Sequence, residues 1–142
     1  MVLSRPQPPP PCAGVVVVRR RGFVVECLLV QTPTGQWGFP KGKRNRGEGA
    51  VANALRELFE ETGLMRLQLA LREDLYFDEL SDKGGLAVRY FAATLTDPEP
   101  TLIPARGELI DVRWCSVVSA QTLLKPARRT VLLAVLTELA IT

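Results

Sequence analysis

Glu57, Glu60 and Glu61 stand together, with Glu48 just upstream, behind a loop that contains Gly42, Gly47 and Gly49. An α-helix turns by about 100° per residue, so Glu57, Glu60 and Glu61 would share one arc roughly 100° wide. Val51, Ala54, Leu55 and Leu58 would fall on the opposite side, with Phe59 at the edge. Folding does not ask for such a cluster, because like charges at i,i+3 and i,i+4 repel by about a few tenths of a kcal/mol per pair. A hard divalent cation turns that repulsion into ligation, since carboxylate oxygens are its preferred donors.

The rest of the composition narrows the chemistry. The chain has 142 residues and no histidine, which excludes a histidine-based triad and the common Cys/His zinc sites. A metal would be held by oxygen, which favours Mg²⁺ or Mn²⁺. A strong general base would be a carboxylate, with lysine, tyrosine or thiolate as weaker choices. Cys12, Cys27 and Cys115 lack CxxC spacing and read as ordinary thiols. The net charge of +3 is compatible with a polyanionic substrate. No apolar run approaches the roughly 20 residues that span a bilayer. Residues 1–12 lack the apolar core of a signal peptide, so the expected location is cytoplasmic or nuclear, with no membrane partner.

Residues 42–64 place Gly42, Glu48, Arg56, Glu57, Leu58, Glu60, Glu61, Gly63 and Leu64 in the spacing G-x5-E-x7-R-E-U-x-E-E-x-G-U, with U apolar. This segment resembles the signature of the Nudix hydrolases at every fixed position. The resemblance implies an α/β/α sandwich with a mixed sheet between helices. It implies hydrolysis of a phosphoanhydride in a nucleoside diphosphate linked to another moiety. It also implies Mg²⁺ or Mn²⁺ held by Glu57, Glu60 and Glu61, with a further oxygen from the peptide carbonyl near Gly42. Arg56 would orient a carboxylate of the segment, and Glu48 would stand behind the metal ligands. Glu108, six residues before Trp114, has the offset at which family members place a further catalytic or metal-binding glutamate. Asp111 is the weaker alternative, and the general base is Glu57 or Glu108.

Each residue also has a plainer account. Arg56 and Glu60 are an i,i+4 ion pair. Glu48 favours a helix start through the dipole. Glu108 is a solvated loop residue, and Glu73, Asp74, Asp78 and Glu79 read as a solvated acidic loop. Lys41, Lys43, Arg44 and Arg46 crowd the approach to the cluster and are the candidates for substrate phosphate contact. Phe39, Tyr76, Tyr90 and Phe91 are candidate base-stacking rings, with core packing the commoner use of each.

Residues 37–43 resemble the loop before this motif in mRNA-decapping members and in some that hydrolyse dinucleoside polyphosphates. No proline lies between Pro40 and Pro98, so the downstream proline that marks ADP-ribose-type members is absent. Tyr76 comes too early for the tyrosine that marks dinucleoside-polyphosphate hydrolases. The favoured substrate is a dinucleoside polyphosphate, or the 5′ cap or phosphorylated end of an RNA. A MutT-type hydrolase of oxidised nucleoside triphosphates is the alternative. A non-catalytic nucleotide-binding module is the alternative of another class, disfavoured because no glutamate of the motif is lost. Oligomeric state stays open.

The elements that must position these residues follow from pattern. Residues 1–12, with Pro6 and the run from Pro8 to Pro11, read as a flexible proline-rich tail, and 13–142 as one domain. Strands are expected at 14–20, 23–31, 67–76, 86–95 and 110–115. Residues 37–43 read as an extended loop, and 97–107 as an irregular connection. A helix starts at 47–49 and stops before Gly63, a suitable left-handed cap. A second begins at Ser116 or Ser119, and a third spans 126–139, with Pro126 in its first turn. Activity is expected to vanish in excess EDTA and to return with Mg²⁺ or Mn²⁺; full activity in the chelator would remove the carboxylate cluster from the chemistry.

Overall fold

The computed structural model describes residues 10–103 and 108–139. The run of valines at its start decides the architecture. β1 (Cys12–Arg21) keeps every residue from Ala13 to Val18 buried. A strand buried on alternate residues in both directions must be covered on both faces. It lies inside a seven-stranded sheet of order β3-β2-β1-β6-β5, with β4 attached to β1 and β7 to β2. The partners are β2 (Val24–Gln31), β3 (Trp37–Gly38), β4 (Lys41–Lys43), β5 (Leu69–Leu80), β6 (Leu86–Leu95) and β7 (Asp111–Ser116). β1 runs parallel to β6 and antiparallel to β2 and β4, so the sheet is mixed.

Helices cover both faces. On one, Ala13, Val15, Val17, Leu28 and Phe91 pack against Ala54 and Leu58 of α1 (Ala50–Thr62). On the other, Val16, Val18, Cys27, Leu29 and Tyr90 pack against Ala120 of α2 (Val117–Leu123) and Val131, Leu132 and Val135 of α3 (Pro126–Glu138). This is the α/β/α sandwich expected from the sequence. α1 stops where expected: Gly63 has φ 81 and returns its N–H to the Phe59 carbonyl. Ser116 caps α2 and Pro126 opens α3.

Three expectations need correction. Residues 37–43 are not one loop, because the chain pairs twice, as β3 and β4, around Pro40. Strands of two and three residues are too short to display a period. The stretch after α1 first makes a single 3₁₀ turn, Arg66–Gln68, and β5 then continues to Leu80. Glu73, Asp74, Asp78 and Glu79 therefore lie in a strand and not in a loop. A register shift between Arg72 and Tyr76 hides the alternation that would have marked it. Finally, the ordered domain starts before residue 13. Cys12 is already in β1, Pro10 is buried, and the Pro11 carbonyl accepts the Arg44 N–H at 2.9 Å. The rest of the expected tail, and 104–107 of the irregular connection, lie outside the described residues.

Among the described residues no helix is long and apolar enough to cross a membrane. Cys27 stands opposite Cys115 across β2 and β7, and both are free thiols. Burial pushes Cys27 up to about 12, so it stays protonated and unreactive, as read from sequence.

Leu58 is fully buried and Phe59 is more than half exposed on the same helix. Leu58→Ala is expected to cost about 2–5 kcal/mol in urea unfolding, whereas Phe59→Ala should stay within about 0.5 kcal/mol.

Candidate active site

The pairing of β4 with β1 sets Gly42 opposite Ala13, on the face that carries α1. There the helix lays a stripe of polar side chains along β4. Asn53, Glu57 and Glu61 follow i,i+4,i+8 spacing and so share one line of the helix. Asn53 is buried, and its Nδ2 donates to the Gly42 carbonyl at 3.1 Å and to the Lys43 carbonyl at 3.3 Å. Glu57 fills the space over Gly42: a Cβ there would lie 2.2 Å from the Glu57 Cδ. The Lys41 N–H donates to Glu61 Oε2 at 3.0 Å. The glycine that opens the motif is thus required by the carboxylate lying against it.

Arg56 organises the remaining charges. Its Nε and Nη2 grip the two oxygens of Glu48 at 2.9 and 3.0 Å. Its Nη1 reaches Glu57 Oε1 at 2.9 Å and Glu60 Oε2 at 3.1 Å. The second Nη2 hydrogen goes to the Lys43 carbonyl at 2.8 Å. Every N–H of the guanidinium is used. Arg56, read from sequence as orienting a carboxylate of the segment, contacts three of them, and its i,i+4 pair with Glu60 is present.

Burial and charge divide the glutamates. Hydrogen bonds from Arg56, then from the Asn45 N–H, hold the Glu48 carboxyl below its ordinary range. Glu57 is pushed up, because burial outweighs the contact with Arg56. Glu61 is raised from 4.5 to about 8, chiefly by burial and further by the charges of Glu57 and Glu108, against the opposing Lys41 N–H. Glu108 is exposed in the loop before β7, and its charge is the smallest of the named influences that raise Glu57 and Glu61. Asp111 turns to Arg113 instead. Glu60 is the most exposed of the helical set that Arg56 binds.

The donor set suits a hard divalent cation. Without one, the charges of Glu57 and Glu108 oppose ionisation of Glu61. The buried Oδ1 of Asn53 has no hydrogen-bond donor among the described residues. No three acidic side chains among those residues already close on a cation, because Arg56 draws Glu57 and Glu60 while the Lys41 N–H draws Glu61. The Gly42 carbonyl accepts from Asn53 Nδ2 and has a second lone pair. Asn53 escaped sequence reasoning; its position four residues before Glu57 was the available signal.

The approach is basic. Lys43, Arg44 and Arg46 are exposed, and no carboxylate among the described residues pairs with them. Lys41 is half-buried. Of the rings proposed for stacking, Phe39, Tyr90 and Phe91 are core residues, while Tyr76 is 46% exposed. Tyr76 borders a cleft of about 650 Å³ with Asp78 and Arg89, and the Arg89 guanidinium lies 4.0 Å over its ring. Ala13 pairs with Gly42 on one side and Arg89 on the other, and Arg89 pairs with Asp78. Cleft and carboxylates therefore share one face of the sheet, with backbones about 10 Å apart between Gly42 and Arg89.

A sandwich of this topology, with an arginine-clamped glutamate set on α1, belongs to the class of hydrolases that residues 42–64 resemble. A model of the NUDIX domain matches residues 8–135, and the chain belongs to this family. It is a Nudix hydrolase, acting on phosphoanhydride bonds. It is 31% identical over 113 residues to the bis(5′-nucleosyl)-tetraphosphatase [asymmetrical] of Caenorhabditis elegans, covering 76% of this chain and 80% of that protein. It is 29% identical to an RNA pyrophosphohydrolase of Agrobacterium fabrum, covering 90% and 89% of the two chains. The crystal structure of a C. elegans Ap4A hydrolase binary complex superposes with a TM-score of 0.82 at 27% identity, over 91% of this chain and 98% of that one.

The raised Glu61 has a thermodynamic sign. Between its ordinary value of 4.5 and about 8 the folded, metal-free protein holds a proton that the unfolded chain has lost. Stability should therefore fall as pH rises through that window and level off above it. Glu61→Gln is expected to flatten this slope in urea titrations of the metal-free protein. A slope unchanged by the substitution would place the buried proton elsewhere.

Proposed function

We propose that this enzyme hydrolyses dinucleoside polyphosphates asymmetrically, with Mg²⁺ or Mn²⁺. The observation that carries this reading is the uncompensated basic approach: Lys43, Arg44 and Arg46 stand exposed and unpaired by carboxylates among the described residues, next to an oxygen-rich cluster. A substrate with several consecutive phosphates matches both halves of that surface. The likeness to the asymmetrical tetraphosphatase, which extends along most of both chains, supports it. The Tyr76–Arg89 stack supplies a planar surface for a base on the same face.

In this reading Glu57, Glu60, Glu61 and Glu108 hold the cation. When bound, it neutralises phosphate charge and lowers the pKa of water beside the phosphorus. The protein's own part is positioning. Arg56 and Glu48 fix the rotamer of Glu57, and the Lys41 N–H aims Glu61. Glu57 or Glu108 takes the proton from the attacking water. Lys43, Arg44 and Arg46 hold the far phosphates, with Lys41 nearer the cluster. The 5′ phosphorylated or capped end of an RNA is the second reading. It is favoured by the likeness to the RNA pyrophosphohydrolase and by the same basic approach, which would track a nucleic-acid backbone.

Glu57→Gln is expected to lower kcat by about 10²-fold or more, with unchanged melting in the absence of metal. Lys43→Ala with Arg44→Ala should chiefly raise KM, since such contacts exist in ground and transition states alike. That penalty should grow with the number of substrate phosphates and shrink with added salt. Equal penalties on a nucleoside triphosphate and a dinucleoside polyphosphate, without salt dependence, would favour the nucleotide-sanitising alternative.

A further inference from the structure

On the face of the sheet away from the carboxylates, a buried ion pair joins three elements. Glu79 of β5 and Arg128 of α3 are 4% and 7% exposed. Glu79 Oε1 accepts from Arg128 Nε at 3.1 Å and from the Tyr90 hydroxyl at 3.0 Å. Lys125 Nζ lies 3.5 Å from Glu79 Oε2. Arg128 Nη1 then donates to the Trp37 carbonyl at 2.9 Å. A Cβ on Gly38 would meet that same nitrogen at 2.8 Å.

Packing alone does not explain this arrangement. A well-packed apolar pair often serves a core as well as a buried ion pair, because both charges must be stripped of water. What an apolar pair lacks is a donor for the Trp37 carbonyl. β3 needs such support: it has two residues and, among the described residues, pairs only with Val30 and Gln31. From this anchor the chain is pinned residue by residue to the carboxylates. Phe39 is fully buried with its ring edge-on to Tyr90, centroids 5.3 Å apart. The Pro40 carbonyl accepts the Val15 N–H at 3.2 Å. The next N–H, that of Lys41, is the donor to Glu61.

We propose that Arg128, held by Glu79, is a positioning residue for the active site: its clamp on Trp37 and Gly38 sets the Lys41 N–H that orients Glu61. The inference rests on the reading of Glu61 as part of the metal centre. Lysine at position 128 would keep a charge for Glu79 but lose the fork that also reaches Trp37.

The test compares Arg128→Met, Arg128→Lys and Gly38→Ala with Val135→Ala, a fully buried position on the same helix whose side chain makes no hydrogen bond or ion pair, and with Glu61→Gln. Amide hydrogen exchange of Lys41 is read on the metal-free protein, and Mn²⁺ affinity by calorimetry. Arg128→Met and Gly38→Ala should speed Lys41 exchange and weaken Mn²⁺ binding, each by about tenfold, as expected when support behind a ligand is removed. Arg128→Lys should fall between, and Val135→Ala should change neither, whatever its melting temperature. Gly38→Ala keeps every charge, so it decides the matter if Arg128→Met does not fold. Wild-type Lys41 protection and Mn²⁺ affinity in the folded clamp variants would overturn the proposal. If Glu61→Gln binds Mn²⁺ weakly while the clamp variants bind normally, the clamp alone is refuted; if Glu61→Gln binds Mn²⁺ like wild type, the metal-site reading falls with it.

Discussion

Carboxylates that are partly buried side by side repel, and much of this structure exists to hold them there with one shared guanidinium. Arg56 divides its guanidinium between Glu48, Glu57, Glu60 and the Lys43 carbonyl, so one cation fixes three rotamers and a strand. Glu61, which Arg56 does not contact, has a single backbone donor among the described residues, and burial raises it to about 8. The imbalance underlies the metal-site proposal. A site balanced by protein cations would have little to gain from a metal, whereas this one would gain electrostatically from the divalent ion proposed for it.

The sheet makes that arrangement possible. β1 is covered on both faces, so it can serve as a fixed reference for β4 on one edge and β6 on the other. α1 packs over β1 with Ala54 and Leu58 and directs its polar stripe at β4. Gly42 is the point of closest approach, where even a methyl group would displace Glu57. The opposite face contributes through the backbone, since α3 holds the Trp37 carbonyl through Arg128 and α1 takes the Lys41 N–H through Glu61. Fold and site are therefore coupled by a segment of a few residues whose strands are too short to be stable by themselves.

What the sequence disclosed depended on the range of each interaction. α1, its glycine stop and the shared arc of Glu57 and Glu61 rest on contacts within two turns of helix, and these were legible. β1 and β6 were legible from their apolar runs. Arg56 could be placed because its partners lie nearby on the same segment. Asn53 was not, since a polar residue at its position looks solvated until β4 is seen beneath it. Glu79 and Arg128 are 49 residues apart, and Glu79 was hidden inside an acidic run broken by a register shift. Its neighbour Asp78 faces the other way and pairs with Arg89, so one run of acids serves both faces of the sheet.

The central claim is that the α1 carboxylates form a metal-dependent centre that splits a polyphosphate chain off-centre. Its most direct test is product analysis with diadenosine tetraphosphate and Mg²⁺ in ¹⁸O-labelled water, on wild type and Glu61→Gln side by side. The expected products are ATP and AMP, with one of them labelled at its new phosphate oxygen and with turnover nearly abolished in the variant. Two molecules of ADP, or undiminished turnover in Glu61→Gln, would contradict it.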